Sequence, residues 1–329
     1  MHLIRSLIIC SLLISLSIYA PYKAFFDYVP QNKNLVINIE RGDTIYEVFS
    51  LFLPLNFVNK FFLKIYSLRN DINVIQYGEY QIGNKSILDI INLIKSGETI
   101  THKLKINEGL NIYDIENLIN DSYLINDCSF LKCINTNLSF REGILYPDTY
   151  FYKKGMSASE ILNESHTRLE NYLNNKLKNK STHTSLNKEE VLILASIIEK
   201  EAGNEDEKSK IASVFLKRLS IGMRLQADPT IIYGLLPNFD GDIKKSDILD
   251  KNNKYNTYMI SGLPPTPISI SSISSINASI DSLPGDYLFF VADSKTSHYF
   301  SKTYEEHLNK INELGLNKWK LYLLRELRA

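Results

Sequence analysis

Residues 195–203 read ASIIEKEAG. They close a longer run, KEEVLILASIIEKEAG (Lys188–Gly203), whose apolar residues recur at helical spacing and which stops on a glycine. A Glu-Lys-Glu triplet therefore sits at the end of a helix that is expected to be largely buried. Residues two apart on a helix point about 200° from one another, so Glu199 and Glu201 cannot act as a pair. An apolar stripe through Val191, Leu194, Ala195, Ile198 and Ala202 would place Glu201 on its flank and turn Glu199 toward Ser196 and Lys200. Glu201 is thus the carboxyl expected to be partly desolvated. Desolvation raises a carboxyl pKa and suits a proton donor near neutral pH. A solvated glutamate at a helix end is the alternative reading of the same residue.

Working outward, Asn204 is placed to cap a following helix, with Glu205, Asp206 and Glu207 in its first turn and Ile211, Val214, Phe215 and Leu219 on its apolar face. MRLQADPTIIYG (Met223–Gly234) then sets Gln226 and Asp228 before a short helix, and includes Tyr233. Asp228 followed by Pro229 has a purely structural reading, as N-cap and first helical residue. KYNTYMISGLPPTP (Lys254–Pro267) carries Tyr255 and Tyr258, which could stack on sugars, and Asn256, which could bind an amide or hydroxyl. An Asn-Thr turn with core tyrosines explains that stretch equally well. FREGILYPDTYFY (Phe140–Tyr152) gathers aromatic residues around Pro147-Asp148. No HExxH, GxSxG or phosphate-binding loop occurs, and no metal or cofactor is called for.

The N-terminal part is organised differently. Leu7 to Ala20 is apolar apart from serines, which reads as a membrane anchor over residues 1–25. A cleaved signal peptide ending at Ala20 is the rival, disfavoured by Ile18 and Pro21. Residues beyond about 25 are then exported, and Cys128 and Cys133 can pair there unless a helix spans them. NIERGDTIYEVFSLF and KINEGLNIYDIENLI echo one another as strand, glycine turn, then Ile-Tyr-acid opening a helix. Such small β-α modules occur in exported glycan-binding proteins. The 37 basic residues balance the 37 acidic ones, which argues against nucleic acid as a partner.

ASIIEKEAG, VFLKRLSIGMRLQADPTIIYG, YNTYMISGLPPTPIS, YLFFVADSKTSHYFSKTYEEH and EGILYPDTY together resemble the MltG/YceG family of endolytic murein transglycosylases, collinearly from about Glu142 to His307. The resemblance implies an α+β chain. A transmembrane helix (1–25) would precede a small LysM-like module (34–105) and a mixed α/β catalytic domain (106–329) with the catalytic glutamate at a helix end. It implies Glu201 as catalytic residue, the choice already made from helix geometry. Gln226, Asp228, Tyr233, Tyr255, Asn256 and Tyr258 would line the glycan subsites. The implied substrate is the peptidoglycan glycan strand, cut between N-acetylmuramic acid and N-acetylglucosamine with 1,6-anhydro ends. The implied location is the outer side of the cytoplasmic membrane, beside peptidoglycan synthases. Ala202, Ala227 and Ser271 depart from residues common in the family. A two-carboxylate hydrolase pairing Glu201 with Asp228, and a non-catalytic glycan-binding scaffold, are the alternatives.

Overall fold

The computed structural model describes residues 15–70, 72, 75–178, 185–294 and 296–316. It divides into two compact units: one runs to His102 and takes back Phe151–Met156, while the other holds Lys103–Tyr150 and the chain from Ser157 onward.

In the N-terminal unit, helix α1 covers 15–26 among the described residues. The antiparallel pair β1 (Val36–Ile39) and β2 (Gly78–Gln81), registered Ile37 to Tyr80, packs with α2 (Ile45–Ser50), α3 (Phe57–Arg69) and α4 (Ile87–Ser96). Ile37, Ile39, Phe49, Leu63, Tyr80, Ile87 and Ile90 form its core. The expected anchor falls mostly on residues 1–14, outside the described residues, and no described helix is long and apolar enough to cross a membrane.

The echo between the two strand-turn-helix stretches has a local cause. Gly42 and Gly109 turn with φ of +95° and +79°, which side-chain-bearing residues avoid. Thr44 opens α2 and Asn111 opens α5 (Ile112–Asn120), each in a reciprocal capping box with the acid three residues on, Glu47 or Asp114. The Ile-Tyr-acid signature is thus the first turn of a capped helix. α4 begins with the same device at Ser86 and stops at Gly97 in the left-handed region, as the sequence suggests.

The second unit is built around α7 (Lys188–Glu201). Every residue from Val191 to Ile198 is buried. α8 (Lys208–Ser220) and α11 (Ile273–Asp281) pack against it, and α6 (Ala158–Lys178), α9 (Asp228–Leu235), α10 (Lys245–Leu249) and α12 (Tyr304–Glu313) complete the set. Strands β3 (His102–Ile106) and β4 (Asp148–Tyr152) form a second two-stranded sheet, and β5 (Phe289–Ala292) pairs antiparallel with β6 (His298–Ser301). Leu194, Ile198, Ile211, Phe215, Leu225, Ala227 and Ile268 share one core, so the motif-bearing segments converge on α7. Cys128 and Cys133 are joined by a disulfide across a short 3-10 turn (Ser129–Leu131) rather than an α-helix.

Candidate active site

Because α7 is covered all round, the single apolar stripe expected from the sequence does not exist, and the choice between its two glutamates has to be made on partners. Glu199 is the more deeply covered, with only 9% of its side chain exposed. Its Oε2 accepts from the Ser272 amide at 3.0 Å, the Ser272 hydroxyl at 2.5 Å and the Ser275 hydroxyl at 2.6 Å. Lys208 Nζ stands 3.4 Å away and is itself held by Ser272, Ser274 and Glu205. Ser272 caps α11, so Glu199 also lies at the positive end of that helix. Its charge is committed to holding α7, α8 and α11 together. This corrects the expectation that Glu199 would face away from the core.

Glu201, the last residue of α7, is half-buried. Its charge reaches the phenol of Tyr258, which donates to Asp228 Oδ1 at 2.6 Å. Burial first, then the charge and hydrogen bond of Asp228, then Glu201, push the Tyr258 hydroxyl well above the ordinary tyrosine range, with Arg218 opposing. Tyr258 is therefore a neutral donor in the protein interior, and with 4% exposure it offers no face for sugar stacking. Glu201, Asp228 and Tyr258 lie together in this unit. The structure also revises the capping reading of Asp228. The N-cap is Ala227, without a side-chain bond, while Asp228 is the first helical residue and spends an oxygen on Tyr258.

The two segments carrying Gln226 and Tyr258 are joined by a knot of hydroxyls. Thr230 Oγ1 and Thr257 Oγ1 lie 2.9 Å apart, both buried, and Thr257 Oγ1 accepts from the Ala227 amide at 2.9 Å. Gln226 donates its amide to the Thr257 carbonyl at 3.2 Å and sits at φ +51°, a left-handed conformation that costs a non-glycine residue about 1 kcal/mol. Strain of this kind persists where surrounding contacts over-determine it. Asn256, expected to bind substrate, has a structural occupation instead. It is fully buried, its Nδ2 donates to the carbonyls of Asp247, Ile248 and Asp250, and its Oδ1 accepts from the Tyr258 amide.

Tyr233 and Tyr255 are half-buried and pack edge to face, ring centres 4.7 Å apart. The Tyr255 hydroxyl pairs with Thr266, and the Tyr233 hydroxyl donates to Glu142 Oε2 at 2.8 Å. Glu142 belongs to the aromatic Pro-Asp-Thr stretch, but sequence reasoning did not single it out. It is 4% exposed and accepts also from the Ile112 amide at the start of α5 and from the Gly143 amide, both at 2.9 Å. Burial drives its carboxyl up to about 7 despite those three donors, and the charge of Asp114 adds to the rise. Next to it, Gly143 has φ +69°, and a Cβ there would meet Pro267 Cβ at 2.7 Å and the Ser269 carbonyl at 2.8 Å. A glutamate followed by glycine could have hinted at this close approach.

The chain that carries this helix-end glutamate, Tyr-Asp pair and strained glutamine matches the YceG-like family. The family's model matches residues 37–313, and the chain belongs to it. The chain is 36% identical over 178 residues to the endolytic murein transglycosylase of Bacillus subtilis (strain 168), a stretch covering 52% of this chain and 47% of that protein. It is 30% identical over 177 residues to the endolytic murein transglycosylase of Streptococcus pneumoniae serotype 2 (strain D39), covering 52% of this chain and 32% of that protein. The chain thus spans about half or less of the length of the curated relatives it matches. The fold is similar to the crystal structure of a YceG-like protein from Listeria monocytogenes, with a TM-score of 0.54 and 28% identity over 84% of this chain and 98% of that one.

Proposed function

We propose that this protein is an endolytic peptidoglycan lytic transglycosylase, cutting the β-1,4 bond between N-acetylmuramic acid and N-acetylglucosamine inside glycan strands. The relatives named endolytic murein transglycosylase are the observation that carries the reading. Glu201 is the catalytic residue in this reading, because Glu199 is already bound to three serine donors and a lysine. The neutral Glu201 carboxyl protonates the leaving glycosidic oxygen. The resulting carboxylate takes the proton of the muramyl C6 hydroxyl as that oxygen closes on C1. The nucleophile is tethered to the substrate, so proximity stands in for a second catalytic carboxyl. In this reading Gln226 and Tyr255 fix N-acetyl or hydroxyl groups, with Tyr233 packed edge to face on Tyr255.

A second reading is favoured by the revised place of Asp228. Freed from capping, it stands with Glu201 around Tyr258, so hydrolysis by two carboxyls is the rival chemistry. We further propose that residues 1–25 anchor the chain in the cytoplasmic membrane with the remainder outside, where the Cys128–Cys133 disulfide is stable. The N-terminal unit would act as a LysM-like glycan-binding module, and cleavage beside peptidoglycan synthases would terminate strand elongation. Digestion of purified peptidoglycan followed by mass spectrometry tests the reaction. Anhydro ends within long strands support it. Reducing ends, one water heavier, select the Glu201–Asp228 hydrolase, and the absence of any new ends with folded protein selects a scaffold.

A further inference from the structure

The second face of α3 is left exposed among the described residues. At 100° per residue, its buried Phe62 and Leu63 and half-buried Tyr66 occupy one side of the helix. Phe57, Phe61, Ile65, Leu68 and Val58 fall within an arc of about 100° on the other. They are 84%, 49%, 39%, 73% and 49% exposed, and Phe57 and Leu68 are the two most exposed large apolar side chains among the described residues. Lys60 and Lys64 border this strip on one edge and Arg69 on the other, all exposed. From Leu51 to Asn70 the chain carries no acidic residue, and Leu51, just before the helix, is 58% exposed.

An apolar strip edged by cations on both sides matches a helix lying in a lipid headgroup layer, where the lysine and arginine stems extend outward to phosphate. What covers this strip is indicated by its neighbour. α1 is the described end of the apolar Leu7–Ala20 segment, and its Tyr22, Phe25 and Phe26 rings stack on α3. Tyr22 and Phe25 lie 5.4 and 6.0 Å from the Phe62 ring, and Phe26 lies 4.9 Å from Tyr66. Leu16, Ile18 and Tyr19 of α1 are likewise exposed, continuing the apolar surface toward the segment that would enter the bilayer.

We propose that α3 is an interfacial helix that docks on the surface of an anionic phospholipid bilayer, holding the N-terminal unit against the membrane; this rests on the anchor reading of residues 1–25. The strip seats among the upper acyl chains while Lys60, Lys64 and Arg69 meet lipid phosphates.

The test uses the full chain in vesicles of phosphatidylcholine with phosphatidylglycerol, with Trp319→Phe and Phe61→Trp so that a single indole reports from the strip. The expected result is a blue-shifted emission, largely quenched by lipids brominated near the headgroup. Combining Lys60→Gln, Lys64→Gln and Arg69→Gln should lower the docking equilibrium about a hundredfold, at roughly a tenfold or less per cation, and so abolish the shift while the chain still floats with the vesicles. Floating chain with a water-like, unquenched indole would overturn the proposal and leave the anchor intact. Chain that does not float would overturn both. A blue shift that needs no lipid and grows with protein concentration would assign the strip to a second copy and overturn membrane docking.

Discussion

Replacing Glu142 by glutamine is expected to change how stability depends on pH. The carboxyl moves from an ordinary 4.5 to about 7 on folding. Between those values the folded protein retains a proton that the unfolded chain has released. Stability is therefore full at low pH and falls as pH rises, by about 1.4 kcal/mol per unit and about 3 kcal/mol in all. Above about 7 both states are ionised and the loss is complete. Glutamine does not titrate, and like the neutral carboxyl it offers one donor side toward Ile112, Gly143 and Tyr233, of which the Tyr233 hydroxyl can turn to accept. Relative to Glu142→Gln, wild type should therefore lose about 3 kcal/mol of stability between acid pH and pH 8. Urea unfolding of both proteins across this range measures the difference, and contributions from other groups cancel. Tyr233→Phe provides a check: losing a donor to the charged form should move the wild-type midpoint higher. A difference that stays constant with pH would refute the buried, late-titrating carboxyl.

The two glutamates of α7 should separate cleanly: Glu201→Gln is expected to fold normally and lose strand cleavage, whereas Glu199→Gln leaves buried Lys208 short of a countercharge and should cost about 3 kcal/mol, read by urea unfolding. Gln226→Gly and Gln226→Ala both remove the side chain, so cleavage should drop equally in both. The glycine variant should be more stable by about 1 kcal/mol, because only it accepts φ +51° without strain. Opening the Cys128–Cys133 loop, whose cysteines are separated by 5 in sequence, with paired serine substitutions should cost about 2 kcal/mol in thermal or urea unfolding.

Local signals in the sequence transferred well to the structure. Asn204 does cap the turn before α8, accepting from the Glu207 amide. What failed depended on distant partners. The α7 stripe assumed solvent on one side, but α8 and α11 both pack against the helix, so its periodicity carries no direction. Asp228 looked like a cap because Pro follows it, yet its oxygen is taken by Tyr258, 30 residues later. Asn256 was read as a substrate ligand or a turn residue, whereas its side chain ties the end of α10, through the carbonyls of Asp247, Ile248 and Asp250. The HYFS strand β6 is too short to stand out before its pairing with β5 is known. Of the candidate site, the triplet directed attention to Glu201, while the Glu142–Tyr233 contact joins residues 91 apart and left no local trace.

The end of α7 is set by main chain as much as by side chains. Ala202 leaves the helix in an extended conformation, and a Cβ on Gly203 would meet the Thr296 backbone at 2.8–3.1 Å. Asn204 donates to the Thr296 carbonyl, and Glu207 accepts from both the amide and the ring of His298. Thr296 contributes only backbone atoms to these contacts, so its side chain is free to drift. The length of the connection between β5 and β6 is not free in the same way. One inserted or deleted residue there would shift the surface against which Gly203 rests, and with it the last turn of α7 that bears Glu201. Variation in this protein's descendants should accordingly be generous in the identity of residue 296 and sparing in insertions around it.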